Sequence, residues 1–161
     1  LKLRRGSVTR TILLEDYFVD YKVTVLQPSE FIEKIIIPTH KNAANLRCYK
    51  ISKRIDDDIS AVLGCFNLCI ADGHVVSARI AFGGMAAIPK RAKHCELALV
   101  GEPWDSETIE RAKSAISKDF SPISDFRASQ EYRSLTAANM LTRYFIEMTS
   151  PQTATKVTDH V

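Results

Sequence analysis

Asp72-Gly73 stands between two runs of alternating residues, SAVLGCFNLCIA (60–71) and HVVSARIAFGG (74–84). A D-G pair in that setting predicts a two-residue hairpin, because both turn positions need positive φ. In the first run Val62, Phe66, Leu68 and Ile70 share one face, and Ala61, Leu63, Cys65, Asn67 and Cys69 the other. In the second, Val76, Ala78, Ile80 and Phe82 alternate with Ser77 and Arg79. A third strand, RCYKIS (47–52), precedes them.

Past Gly83-Gly84 the period changes from two to about 3.6. Pro89 is placed to open a helix, with Ala92, Cys95, Ala98 and Leu99 as its stripe and Gly101 and Pro103 at its end. Asp105 or Ser106 caps a second helix carrying Ile109, Ala112, Ile116 and Phe120. Ser129 caps a third, whose buried side is expected to hold Tyr132, Leu135, Leu141, Phe145 and Met148. The expected fold class is α+β: an antiparallel sheet built on a central hairpin (strands near 47–52, 60–71 and 74–84) against three C-terminal helices.

Residues 1–14 read as β, with a tight turn at Gly6-Ser7. EDYFVDYK (15–22) reads as a loop or short helical turn, QPSEF (27–31) as one helical turn, and FIEKIIIP (31–38) as a strand ended by Pro38. The division is 1–38, then 39–150 as an α+β lobe, then a frayed tail, 151–161. The first residue is Leu1 and the chain opens as if mid-domain, so a piece of a longer protein is expected.

Composition sets outer limits. A chain of 161 residues buries roughly 70% of its unfolded surface. Its net charge of +3 is spread along the sequence and points to neither nucleic acid nor membrane. No apolar run reaches the ~20 residues of a membrane helix. Cys48, Cys65, Cys69 and Cys95 show no zinc spacing, and His40, His74, His94 and His160 are scattered. The thiols read as small buried side chains of a cytoplasmic protein, with a metal or redox pair as the alternative. Gly83-Gly84 could meet a phosphate, although a tight turn needing glycine is the simpler reading. The run Asp56-Asp57-Asp58, after Lys50, Lys53 and Arg54, reads either as a solvated turn that blunts a strand edge or as part of a site.

Three blocks, taken together, resemble the C-terminal part of the flavin domain of xanthine dehydrogenase and related molybdenum hydroxylases. They are YKISKRIDDDISAV (49–62), AFGGMAAIPKRAKHCELALVG (81–101) and DFRASQEYR (125–133). Gly84, Pro89, Arg91, Ala92, Glu96, Leu99 and Gly101 sit at the family's spacing, and KRIDDDISAV favours xanthine dehydrogenase over carbon monoxide dehydrogenase. The resemblance implies that residues 1–38 are the last strands of the preceding FAD-binding lobe. It implies FAD as cofactor, with 2Fe-2S centres and molybdopterin on segments or subunits outside this chain. The family's glycine-rich pyrophosphate loop is also missing here, so the chain alone is expected to be inactive.

The implied function is to help form the flavin site that passes electrons from molybdenum and iron–sulfur centres to NAD or oxygen. The implied partners are the iron–sulfur domain and the molybdopterin subunit, with self-association of the lobe through its bared interface. Residue by residue, Ile32 matches an apolar position near the isoalloxazine ring and Lys50 a lysine near the flavin. Asp57, with Asp56 and Asp58, matches an acidic loop on the nicotinamide side. Arg127, Tyr132 and Arg133 are expected to hold the helices to the sheet or to a neighbouring domain. The competing reading is a structural docking lobe without cofactor contact; a third is a stand-alone binding module unrelated to flavin.

Overall fold

The computed structural model describes residues 1–38, 44–54 and 59–155. Its centre is a four-stranded antiparallel sheet in the order β6-β7-β8-β9: β6 is Arg47–Ile51, β7 Val62–Ala71, β8 His74–Gly83 and β9 Lys90–Arg91. The hairpin joining β7 to β8 turns at Asp72 (φ 51°) and Gly73 (φ 73°), the left-handed pair a two-residue turn requires. Its register runs from Leu63 opposite Gly83 to Ala71 opposite His74, with a bulge between Cys69 and Ile70.

That bulge corrects one expectation. Val75, not Val76, is buried, because the extra residue reverses the alternation at the near end of β8. Beyond it Ala78, Ile80 and Phe82 point into the core as expected. On β7 the core face is Val62, Gly64, Phe66 and Leu68. A Cβ on Gly64 would stand 2.9 Å from both Met140 Sδ and the Phe66 ring, so glycine is what lets the last helix approach the strand.

Three helices cover this face: α1 (Lys93–Leu97), α2 (Ser106–Asp119) and α3 (Gln130–Thr149). Asp105 caps α2 by accepting from Thr108 N–H, and Ser129 caps α3 by accepting from Tyr132 N–H, as their sequences require. Pro89 does not open a helix. Lys90–Arg91 instead adds an edge strand to β8, and α1 begins only at Lys93. The backbone of Ile80 explains the difference. Its N–H donates to Glu96 Oε1 (2.7 Å) and its carbonyl accepts from Ala92 N–H (2.9 Å), so the segment is drawn along the sheet first.

The buried stripe of α3 is also displaced from expectation: it is Arg133, Thr136, Ala137, Met140, Leu141 and Tyr144. Tyr132 and Leu135 face outward, while Phe145 and Met148 pack partly against the core. A periodicity count that treats arginine as a surface residue selects the wrong turn here.

The first 38 residues form smaller sheets. β1 (Lys2–Arg5) pairs with β2 (Val8–Thr11) and with β5 (Phe31–Lys34), and β3 (Phe18–Asp20) pairs with β4 (Val23–Thr24). Residues expected as a loop or helical turn at 15–22 thus hold the end of a 3-10 turn (Leu14–Asp16) and a strand. The expected helical turn at 27–31 is a reverse turn: Ser29 has φ 62° and Glu30 N–H reaches Gln27 O. The strand expected to run to Pro38 ends at Lys34, leaving Ile35, Ile36 and Ile37 exposed. Glu15 links this segment to the main lobe by accepting from Arg91 Nη1 at 3.0 Å. At the other terminus Thr155 donates to Glu147; residues 156–161 lie outside the described residues.

Candidate functional site

The three blocks singled out in the sequence converge on one guanidinium. Arg133, on α3, is 3% exposed. Its Nη1 donates to the carbonyls of Ala61 and of Gly84, the latter at 2.8 Å, and its Nη2 to Asp125 Oδ1 at 2.6 Å. Gly84 has φ 79°, and a Cβ there would run into the Ala61 carbonyl. Asp125 also accepts from the N–H groups of Arg127 (2.9 Å) and Ala128 (3.1 Å). Burial acts on its carboxyl in the raising direction, but the Ala128 and Arg127 N–H groups and Arg133 prevail, and its pKa lies below the ordinary value of 3.8. Arg133 therefore holds helix to sheet, as expected of it, and fixes the loop before α3.

That loop and the end of β6 enclose a cleft of about 450 Å³. Ile51, Ser52 and Lys53 form one wall, with Phe126, Arg127 and Tyr132 opposite. Lys53 Nζ donates to Phe126 O across the gap. The Arg127 guanidinium lies 4.3 Å from the Phe126 ring centroid. Phe126 is 76% exposed and Tyr132 47%, so both present aromatic surface to whatever enters. The arrangement offers flat aromatic faces with a polar rim, the Lys53 ammonium on one side and Arg127 paired with the Asp125 carboxylate (3.9 Å), which also lines the cleft, on the other; it suits a planar ligand with polar edges.

The site residues expected from the sequence are not gathered there. Ile32 lies on β5, opposite Leu3 and 39% exposed. Lys50 lies on β6, in a different sheet, opposite Leu63 and exposed. Lys50 immediately precedes Ile51, the first residue of the cleft wall, but neither it nor Ile32 lines the cleft. Asp57 and its neighbours Asp56 and Asp58 lie outside the described residues; Lys53 and Ala61, which flank them in sequence, both line the cleft. Phe126 and Tyr132 were missed as site residues. The available signal was a Phe and a Tyr flanking a helix N-cap inside the third block.

The other polar clusters are structural. Glu96, 7% exposed, accepts from Arg91 Nη2 at 2.6 Å and Nε at 2.9 Å besides Ile80 N–H. Asp119 accepts from His94 N–H and Cys95 N–H and contacts the His94 ring, tying the start of α1 to the end of α2. Tyr144 continues the sheet beyond β6, accepting from Leu68 N–H (3.2 Å) and donating to Asn45 O (2.9 Å). Among the described residues no group of three or more His, Cys, Asp or Glu could hold a metal ion. No helix among them is long and apolar enough to cross a membrane.

The model of the family described as the CO dehydrogenase flavoprotein C-terminal domain matches residues 47–148, the span of the sheet and all three helices. The chain belongs to that family. The family is part of the FAD-binding region of molybdenum hydroxylases, whose iron–sulfur and molybdenum cofactors belong to other parts. Xanthine dehydrogenase of Emericella nidulans is 35% identical over 112 residues, 68% of this chain and 8% of that protein. The nicotine 6-hydroxylase medium subunit of Paenarthrobacter nicotinovorans is 31% identical over 138 residues, 86% of this chain and 48% of that subunit. The chain thus spans a small fraction of the first and under half of the second.

Carbon monoxide dehydrogenase from Hydrogenophaga pseudoflava shares the fold, with a TM-score of 0.80 at 24% identity over 88% of this chain and 49% of that one. Quinoline 2-oxidoreductase from Pseudomonas putida 86 does likewise, with a TM-score of 0.78 at 22% identity over 91% and 50%. As members of this flavoprotein family go, the described residues fit one end of FAD and not the other. Gly84 is committed to the Arg133 clamp. The N-termini of α2 and α3 are closed by Asp105 and Ser129, and that of α1 by Asp119. No helix start among the described residues is left for a pyrophosphate. The aromatic cleft is the part whose chemistry suits a flavin ring.

Proposed function

We propose that this chain forms the wall at the ring end of the flavin site in a molybdenum hydroxylase of the xanthine dehydrogenase type. The observation that carries the reading is that the first and third family blocks, about seventy residues apart in sequence, meet at the Ile51–Lys53/Phe126–Tyr132 cleft. Ile51, Phe126 and Tyr132 offer apolar and aromatic faces to one side of the ring, and Lys53 with the Arg127–Asp125 pair meets its polar edge. Ile32 lies outside that cleft, so its place beside the ring rests on the resemblance alone. Lys50 favours the reduced, anionic form and Asp57 disfavours it, so the Lys-Arg to Asp-Asp-Asp switch sets the local charge. When bound, FAD supplies the acceptor for electrons arriving from molybdenum and iron–sulfur centres and the donor to NAD or oxygen. Substrate oxidation and pyrophosphate binding fall to other segments and subunits.

The experiment is a redox titration of the whole enzyme carrying Asp57→Ala. Removing a carboxylate beside the ring raises the flavin midpoint potential or alters the KM for NAD; unchanged values for both remove the acidic loop from the site.

A second reading, a docking lobe, is favoured by the exposed run Ile35, Ile36 and Ile37. An apolar run of that kind suits burial against an iron–sulfur domain, a molybdopterin subunit or a second copy of the lobe. A chain that takes up no flavin even at high FAD, yet binds those partners, would favour it.

A further inference from the structure

Three of the four cysteines lie away from the helices. Cys48 on β6 and Cys65 on β7 stand directly opposite each other, and Cys69 follows on β7. Tyr49, which points to the core and donates to Glu147 on α3, fixes which way β6 faces, so Cys48 projects from the opposite side.

The type of cross-strand pair follows from the backbone. Leu68 directs its N–H to Tyr144 Oη and its carbonyl to the Asn45 side chain, both on the β6 side of β7. Cys65, three residues earlier, therefore directs its own amide and carbonyl the other way, toward β8. Ile80 agrees: its N–H and carbonyl face Glu96 and Ala92 on the β9 side, so Ala81, which pairs with Cys65, faces β7. Cys48 and Cys65 are thus a non-hydrogen-bonded pair, in which Cα atoms approach to about 4.5 Å and side chains are closest. That separation is at the short end of the range a disulfide spans, about 4.4–6.8 Å.

We infer that Cys48 and Cys65 are a redox modification site, closing to a reversible cross-strand disulfide when the protein meets a hydroperoxide. The exposed Cys48 is the sulfur the oxidant reaches, and the half-buried Cys65 resolves it. Burial, with the neighbouring Cys48 thiol, pushes the Cys65 pKa up to about 12, so Cys65 attacks only as its proton is taken by the departing hydroxide, and the second step is the slower one. In the first step the Cys48 thiolate attacks one peroxide oxygen. The O–O bond breaks, Cys48 becomes a sulfenic acid, and the departing hydroxide (or alkoxide, from an organic hydroperoxide) takes back from solvent the proton the Cys48 thiol released and leaves as water (or alcohol). In the second, the Cys65 sulfur attacks the Cys48 sulfur, the S–S bond forms and the S–O bond breaks. The departing hydroxide takes the Cys65 proton and leaves as water. Two thiols have lost two electrons, the peroxide has gained them, and a dithiol reductant reverses the change.

The position gives the bond a consequence. β6 is the edge of its sheet, and Ile51, the first residue of the cleft wall, lies three residues beyond Cys48. Oxidation pins that edge to β7. None of this depends on what the cleft binds.

The test is a thiol map of the whole enzyme. It is exposed to hydrogen peroxide, blocked with iodoacetamide and digested with trypsin. The expected result is the Cys48–Lys50 peptide joined to the peptide spanning 55–79, with loss of both free thiols, and their return after dithiothreitol. Because 55–79 also carries Cys69, the link must persist in Cys69→Ser and vanish in Cys65→Ser, where Cys48 proceeds to the sulfinic acid. Cys48 reaching the sulfinic acid in the unmodified protein as fast as in Cys65→Ser, a link that survives Cys65→Ser, or no change in either thiol would each overturn the inference.

Discussion

Arg133 Nη1 donates to the Gly84 carbonyl at 2.8 Å, joining the last helix to the end of the hairpin. The same nitrogen holds the Ala61 carbonyl, and the other holds Asp125. Replacing it by Met leaves the Ala61 and Gly84 carbonyls without this donor and strips the Asp125 carboxylate of its buried countercharge, leaving it the Arg127 and Ala128 N–H groups. The expected loss is about 3–5 kcal/mol, the range for breaking one side of a buried charged network. Urea unfolding of Arg133→Met against the unmodified chain measures it.

Gly84→Ala attacks the same junction from the backbone. The left-handed φ costs about 1–2 kcal/mol for a residue with a Cβ, and the Ala61 carbonyl occupies the space the methyl needs. The expected destabilisation exceeds that of Gly73→Ala, whose Cβ would meet nothing within 4 Å. Parallel denaturation of the two variants decides whether the close approach adds to the turn cost.

Tyr144→Phe keeps the packing on Phe66 and removes only the hydroxyl between Leu68 N–H and Asn45 O. Leaving those buried groups unpaired costs about 1–3 kcal/mol. Hydrogen exchange of the Leu68 amide should accelerate more than exchange at Ile80, whose partner is Glu96.

Acid acts on the loop of the cleft through Asp125. Its folded pKa is below the unfolded value near 3.8, so its contribution is complete above that value and is lost as pH falls through the lower, folded one. Protection of the Arg127 and Ala128 amides, which it accepts, should fall across that interval. In Asp125→Asn it should be weaker at neutral pH and flat through the same range.

How much of this was legible depends on how local each signal is. Asp72-Gly73, Asp105 and Ser129 act on the few residues beside them, so the hairpin and two helix starts are read directly. Pro89 misled because the partners of Ile80, Glu96 Oε1 and Ala92 N–H, lie beyond the proline and hold the chain to the sheet. The holding role of Arg133 followed from the third block, but its place on the buried stripe of the last helix did not, because a buried cation satisfied by distant carbonyls looks, in sequence, like a solvent-facing residue. The cleft was illegible for a similar reason: Lys53 and Phe126, 73 residues apart, meet only once the chain has folded. Even the Cys48–Cys65 pairing emerges only with the register, which no spacing along the chain encodes.

The central claim is that the cleft between Ile51–Lys53 and Phe126–Tyr132 faces a flavin ring. Loading the whole enzyme with 8-azido-FAD, irradiating it and mapping the labelled peptides tests this most directly. The account predicts label within 51–53 or 125–132, reduced by Tyr132→Ala with Phe126→Ala. Label on this chain confined to segments outside that cleft, and unaffected by the double substitution, would contradict it.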